Sequence, residues 1–148
     1  MEKIYPRKWY PQKVGLLDEE QKRNYNLLKN EIMSYEDVKN ETTKYFDNFT
    51  YKNRMIFKIG AVGNTIKLFL ALEPKNYPEG QFPHKDVGKQ KKHRNTPFQI
   101  KISSRLSIKR AMILIGDIAV LKRLRKKEEY EEKDYILEIE KLWQSYEK

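Results

Sequence analysis

Between residues 54 and 72 apolar and polar side chains alternate with a period of two. Met55, Phe57 and Ile59 fall on one face; after a break, Ile66, Leu68, Leu70 and Leu72 do the same. Successive side chains of a strand point to opposite faces, so this spacing predicts a β-hairpin. Gly60, Gly63 and Asn64 punctuate its middle with residues that tolerate positive φ. Pro74 has no N–H for a ladder and ends the second strand. That strand is apolar on both faces, which predicts a central position with helices over at least one side.

The flanking patterns add elements. Residues 45–51 (YFDNFTY) are rich in strand formers and predict a strand, joined to the hairpin by a turn at Lys52 and Asn53. Phe98, Ile100 and Ile102 alternate with polar residues and predict a fourth strand. Asp18 caps a helix with Gln21 at the capping-box position and Leu17 before the cap; Tyr25, Leu28 and Ile32 continue it over about 19–34. Residues 36–43 are polar and hold at most a short turn of helix. Ser104 or Ser107 opens a second helix over about 105–126. A third amphipathic stretch follows in the tail, with Ile136, Ile139, Leu142, Trp143 and Tyr146 on one side. Pro6 and Pro11 predict an extended arm around Tyr5, Trp9 and Tyr10. The expected fold is α+β: an antiparallel sheet of about four strands built on hairpin 54–72. The expected organisation is an arm (1–17), one domain (18–127) and an acidic C-terminal helix (128–148).

Composition removes several classes of function. A chain of 148 residues can bury a real core. No apolar run approaches the ~20 residues of a membrane span, and the N-terminus shows no signal-peptide pattern. The absence of cysteine removes disulfides, thiolate catalysis and cysteine metal sites. A cytoplasmic, non-enzymatic protein without cofactors is the expectation. The glycines around 60–65 read GAVGNT, without the lysine of a phosphate-binding loop. His84 and His93, nine residues apart with Asp86 between them, do not define a metal site.

The charge points to a partner. The net charge is +10, but lysine outnumbers arginine 23 to 8, and a genome rich in A and T would give the same bias. Clustering is more telling. Residues 84–110 carry Lys85, Lys89, Lys91, Lys92, Arg94, Lys101, Arg105, Lys109 and Arg110 against Asp86 alone, a net +8. His93 sits among these bases, whose charges depress its pKa, and is read as a further anion contact. The window begins inside a connection, 74–97, with four prolines, which is long for a compact domain; residues 85–92 have room for a helical turn. It predicts a polyanion-binding surface, with Phe82 and Phe98 as stacking candidates. The tail from 128 is net −5. Trp9, Tyr10, Ile136, Ile139, Leu142, Trp143 and Tyr146 form the other candidate set: they either fold back on the domain or dock on a protein partner or a second copy. The expected function is an interaction module assembling through its terminal segments, with binding of RNA or the ribosome through 84–110 as the alternative.

Several segments together resemble an uncharacterised small-domain family of Firmicutes and Mollicutes. They are Tyr45 to Phe49, Gly63-Asn64-Thr65, Phe69 to Pro74 with Tyr77, His84 with Asp86-Val87, Lys91-Lys92, Thr96-Pro97, Ile100 to Ile102 with Ser104, and Lys109-Arg110-Ala111 with Leu114-Ile115. The likeness spans about residues 20–120, and the element order is similar to the YdhG-type group of α+β domains. The resemblance implies an antiparallel sheet backed by helices and implies no established activity.

Overall fold

Two tight turns set the register of the sheet. In the structure, a computed structural model describing residues 8–146, strand β2 (Asp47–Tyr51) returns as β3 (Arg54–Val62) through Lys52 and Asn53, both at positive φ. Strand β3 returns as β4 (Thr65–Leu70) through Gly63-Asn64, where Gly63 takes φ 58°. The register pairs Phe57 with Leu70, Ile59 with Leu68 and Ala61 with Ile66. All of these are buried.

Among the described residues the sheet holds six strands rather than about four: with β1 (Lys39–Thr42), β5 (Lys85–Asp86) and β6 (Phe98–Ile102) the order is β1-β2-β3-β4-β6-β5, every pairing antiparallel. Strand β4 is central, as its two apolar faces require. The two additional strands are short edges. Strand β1 (Lys39–Thr42) forms from KNET, where a turn of helix was the expectation. The segment is polar on both faces, and pairing with β2 decides its conformation. Strand β5 (Lys85–Asp86) pairs with β6 (Phe98–Ile102) from within the long connection, which holds two short helical turns, Pro74–Asn76 and Lys91–His93.

Helices cover one face. Helix α2 (Glu19–Met33) begins at Asp18, whose carboxylate accepts from Gln21 N at 2.8 Å. The same aspartate clasps Asn64 in the β3–β4 turn, and Gln21 Nε2 donates to Ile102 O at 2.7 Å. Helix α3 (Arg105–Lys122) is capped by Ser104, with Ser107 closing a reciprocal box. It stops four residues short of the expected end because Arg123 turns left-handed, at φ 57°. The chain then runs beside the end of α2, with Lys127 N donating to Ser34 O at 2.8 Å. Among the described residues no helix is long and apolar enough to cross a membrane.

The terminal segments complete the core. The extended arm is corrected from residue 10 onward: Tyr10–Gly15 is a helix, α1, with Pro11 in its first turn, where no intrahelical N–H is lost. Residues 1–7 lie outside the described part. Helix α4 (Tyr135–Tyr146) packs on α1 and α2 and buries Tyr135, Ile136 and Ile139.

One buried carboxylate ties these parts together. Asp47 has no exposure and accepts hydrogen bonds from Tyr10 of α1, Tyr25 and Lys29 of α2, and Asn40 and Thr42 of β1. Lys29 is also buried, 3.1 Å from the carboxylate, and lies 4.8 Å over the ring of Tyr135 in α4. Burial first, then the carboxylate, raises the pKa of Tyr10 well above its ordinary value. Tyr25 is raised likewise, first by burial. Both phenols therefore remain donors.

Replacing Asp47 by Ala should cost about 3–5 kcal/mol in urea unfolding, because Lys29 is left as a buried uncompensated charge. A loss below ~1 kcal/mol would show that the network is incidental. Deleting residues 128–148 should lower the thermal midpoint, since it exposes Tyr25, Lys29 and the α4 contacts. An unchanged midpoint would mean that α4 does not belong to the core.

Candidate functional site

The face of the sheet opposite the helices is built from the other half of each alternation. With Phe57, Ile59, Leu68 and Ile100 turned toward the helices, Asn48, Lys58, Gly60, Lys67, Phe69, Gln99 and Lys101 point the other way. Lys67 and Lys101 stand directly opposite one another in the β4–β6 pair. Like charges at such a position are unfavourable unless an anion lies between them.

Two loops partly cover this face. Phe46 lies over Gly60, where an added Cβ would come within 3.1 Å of its ring. His93 stacks on Phe69, ring centres 4.3 Å apart, and Phe46 meets both rings edge-on. The surface role expected for His93 is therefore corrected: the ring is buried beneath the loop, because Phe69 and Phe46 offer it a flat aromatic slot. Phe98, offered as a stacking surface, is fully buried with its side chain toward the helices, and Phe82 is buried as well.

Lys58 fastens the 91–93 turn from below. It is buried and donates to Lys92 O at 2.7 Å, with His93 Nδ1 2.6 Å away. An ammonium has only donors, so His93 accepts at Nδ1 and carries its proton on Nε2. The Lys58 charge rests over the rings of Phe46 and Phe69, at 4.6 and 4.9 Å. Among the described residues no carboxylate forms an ion pair with it. Burial, followed by the nearby charge of Lys92, lowers Lys58 to about 8. Burial, then Lys58, Lys92 and Lys67, lowers His93 to about 4.

Above this floor lies a cleft of about 650 Å³. Among the described residues its charged lining consists of Lys8, Lys13, Lys44, Lys67, Lys85 and Lys92, without one aspartate or glutamate. Gln90, Gln99, Asn48 and Thr43 supply neutral polar groups, and Tyr45 stands half-exposed at the rim. The site is a set of point charges on α1, the 43–46 loop, the sheet and the 85–93 connection, around an aromatic floor.

The predicted basic window does not form one surface. Lys85 and Lys92 line the cleft, and Lys101 shares the face. Lys89, Lys91 and Arg94 are exposed on the connection. Arg105, Lys109 and Arg110 belong to α3, on the helical side; Arg110 and Lys101 touch a crevice of only 50 Å³ beside Phe82. Lys8, Lys13, Lys44 and Lys67, outside the window, complete the cleft. Only Lys67 left a signal, as the polar residue of an apolar strand.

The terminal candidates turn inward. Tyr10, Ile136 and Ile139 are buried in the protein's own core. Trp9 meets Trp143 edge-on at 6.2 Å, and Leu142 is half-buried. The side chain of Tyr146 lies outside the described part. Among the described residues no three His, Asp or Glu side chains gather as metal ligands would.

Protonation of the floor gives a pH signature. Between about 4 and 6.5 the unfolded chain binds a proton that folded His93 refuses, so stability should rise as the pH rises through that range and fall on acidification. Above about 8 folded Lys58 has released a proton that the unfolded chain holds to about 10.5, so stability should rise from pH 8 toward 10. Urea midpoints against pH should show both trends, with Lys58→Met losing the alkaline rise and His93→Phe the acid fall. Variants that track the parent at every pH would remove this assignment.

No protein-family model, no curated protein and no solved structure matches the chain, so the chemistry of the cleft rests on its own residues.

Proposed function

We propose that the chain is a nucleic-acid-binding module that holds the phosphates of a single strand in the lysine cleft on the open face of its sheet. The observation that carries this reading is the cleft's composition: among the described residues, six lysines from four parts of the chain line it, and no acid. So many cations around one space repel each other unless an extended anion neutralises them. A compact phosphate ligand is held by a convergent arginine fork or a nest of backbone N–H groups. Dispersed lysine point charges suit a flexible backbone and carry no base code. The buried charge of Lys58 adds to the positive potential from beneath. The proposed activity is binding. Assembly through the terminal segments has less support, because Tyr10, Ile136 and Ile139 are used inside the fold.

Fluorescence anisotropy with single-stranded RNA and DNA oligonucleotides over a salt series tests the reading. The log–log salt slope should be roughly −0.7 per phosphate neutralised, so about −3 to −4 if most of the lysines engage. Lys67→Ala, Lys85→Ala and Lys92→Ala should each flatten it by about 0.7. Arg105→Glu on α3 should leave the affinity near the parent value. Equal losses in the α3 variant, or no binding at low salt, would overturn the proposal.

A further inference from the structure

Helix α3 carries a second surface that the cleft does not use. Its inner side buries Ala111, Leu114, Ile115 and Ile118. Its outer side repeats an apolar residue every seventh position: Leu106 and Ile113 are each 54 % exposed, Val120 is 78 %. Leu121 continues the patch at 65 %. A strict seven-residue apolar repeat is the spacing that keeps one helix facing another helix. Gly116 lies between Ile113 and Val120 on this side, and a Cβ there would meet no atom within 4 Å. The stripe therefore contains a hollow next to a knob.

We propose that this face docks against α3 of a second copy, with the two helices antiparallel about a two-fold axis near Ile113. Charge decides the occupant and the direction. Arg110 and Asp117 stand seven residues apart on the same flank of the stripe. In an antiparallel pair, same-flank positions on either side of the axis face each other, so Arg110 of each copy meets Asp117 of the other. A parallel pair would bring the Arg110 flank of each helix against the opposite flank of the other, where Lys109 stands at the same height, which is repulsive. The Asp117 carboxylate is already held in place by Tyr77, whose hydroxyl donates to it at 2.9 Å. The glycine hollow receives Ile113 of the opposite copy, which lets the helices approach closely. A surface that matches itself in shape and in charge is what a two-fold interface requires. The dimer leaves both clefts open, because α3 lies on the helical side of the sheet. It therefore stands whether or not the cleft binds nucleic acid.

Sedimentation velocity on the full chain, treated with nuclease and run at high salt over a wide range of concentration, tests the inference. A reversible dimer is expected. Ile113→Lys and Gly116→Glu, both at outward positions, should raise the dissociation constant at least tenfold while leaving the far-ultraviolet circular dichroism spectrum unchanged. Arg110→Glu should weaken the dimer, and adding Asp117→Arg should restore it. A monomer at every concentration would overturn the proposal, as would a dimer unaffected by Ile113→Lys. Failure of the charge-swapped pair to recover would overturn the antiparallel arrangement.

Discussion

The fold depends on a carboxylate buried beyond the reach of solvent. Asp47 collects donors from α1, α2 and β1, and through Lys29 it reaches the ring of Tyr135 in α4. Desolvating a carboxylate and an ammonium is expensive, and geometry must return that cost. Here the return comes from hydrogen bonds to both carboxylate oxygens, which leave no lone pair facing an apolar wall. Such a network tolerates little displacement. It fixes where the two terminal helices sit on the sheet more narrowly than apolar contacts alone would.

The contrast with Lys58 shows how one residue type is used in two ways. Both lysines are buried. Lys29 has a carboxylate and is part of the core. Lys58 has a carbonyl, an imidazole and two aromatic faces, so its charge is solvated but not cancelled. Neutral partners hold the loop in place and leave the positive field intact on the open face. The sheet thus separates a neutralised interior from a cationic exterior.

What was legible in the sequence follows from which forces act locally. The 54–72 hairpin was readable because period-two burial and a Gly-Asn turn agree. The cap at Asp18 was readable because a side chain bonding its own helix leaves a fixed offset, whereas Ser104 and Ser107 were equal candidates that prove to share one box. Strand β1 was not, since KNET has no alternation and takes its shape from β2. Helix α1 was hidden by Pro11, which reads as a breaker but sits in a first turn. The role of Asp47 left only a weak trace, a lone acid on the inward face of an aromatic strand. The cleft was half legible. Lys85 and Lys92 belong to a charge run, whereas Lys8, Lys13, Lys44 and Lys67 are scattered along the chain and meet only when the sheet forms. The run itself divides, because its arginine end continues into a helix on the other side.

The uncancelled amine beneath the cleft also joins two equilibria. A polyanion above Lys58 favours its ammonium form, so binding raises the pKa of an amine that begins near 8. Near that pH the free protein carries Lys58 only partly protonated, and an occupied cleft draws the missing fraction of a proton from the buffer. By reciprocity, alkaline conditions would loosen a polyanion bound there as proposed, without changing any residue that touches it. The heat of such an association would vary with the ionisation enthalpy of the chosen buffer, so a side chain sealed under an aromatic floor would report on the occupancy of a surface it does not reach.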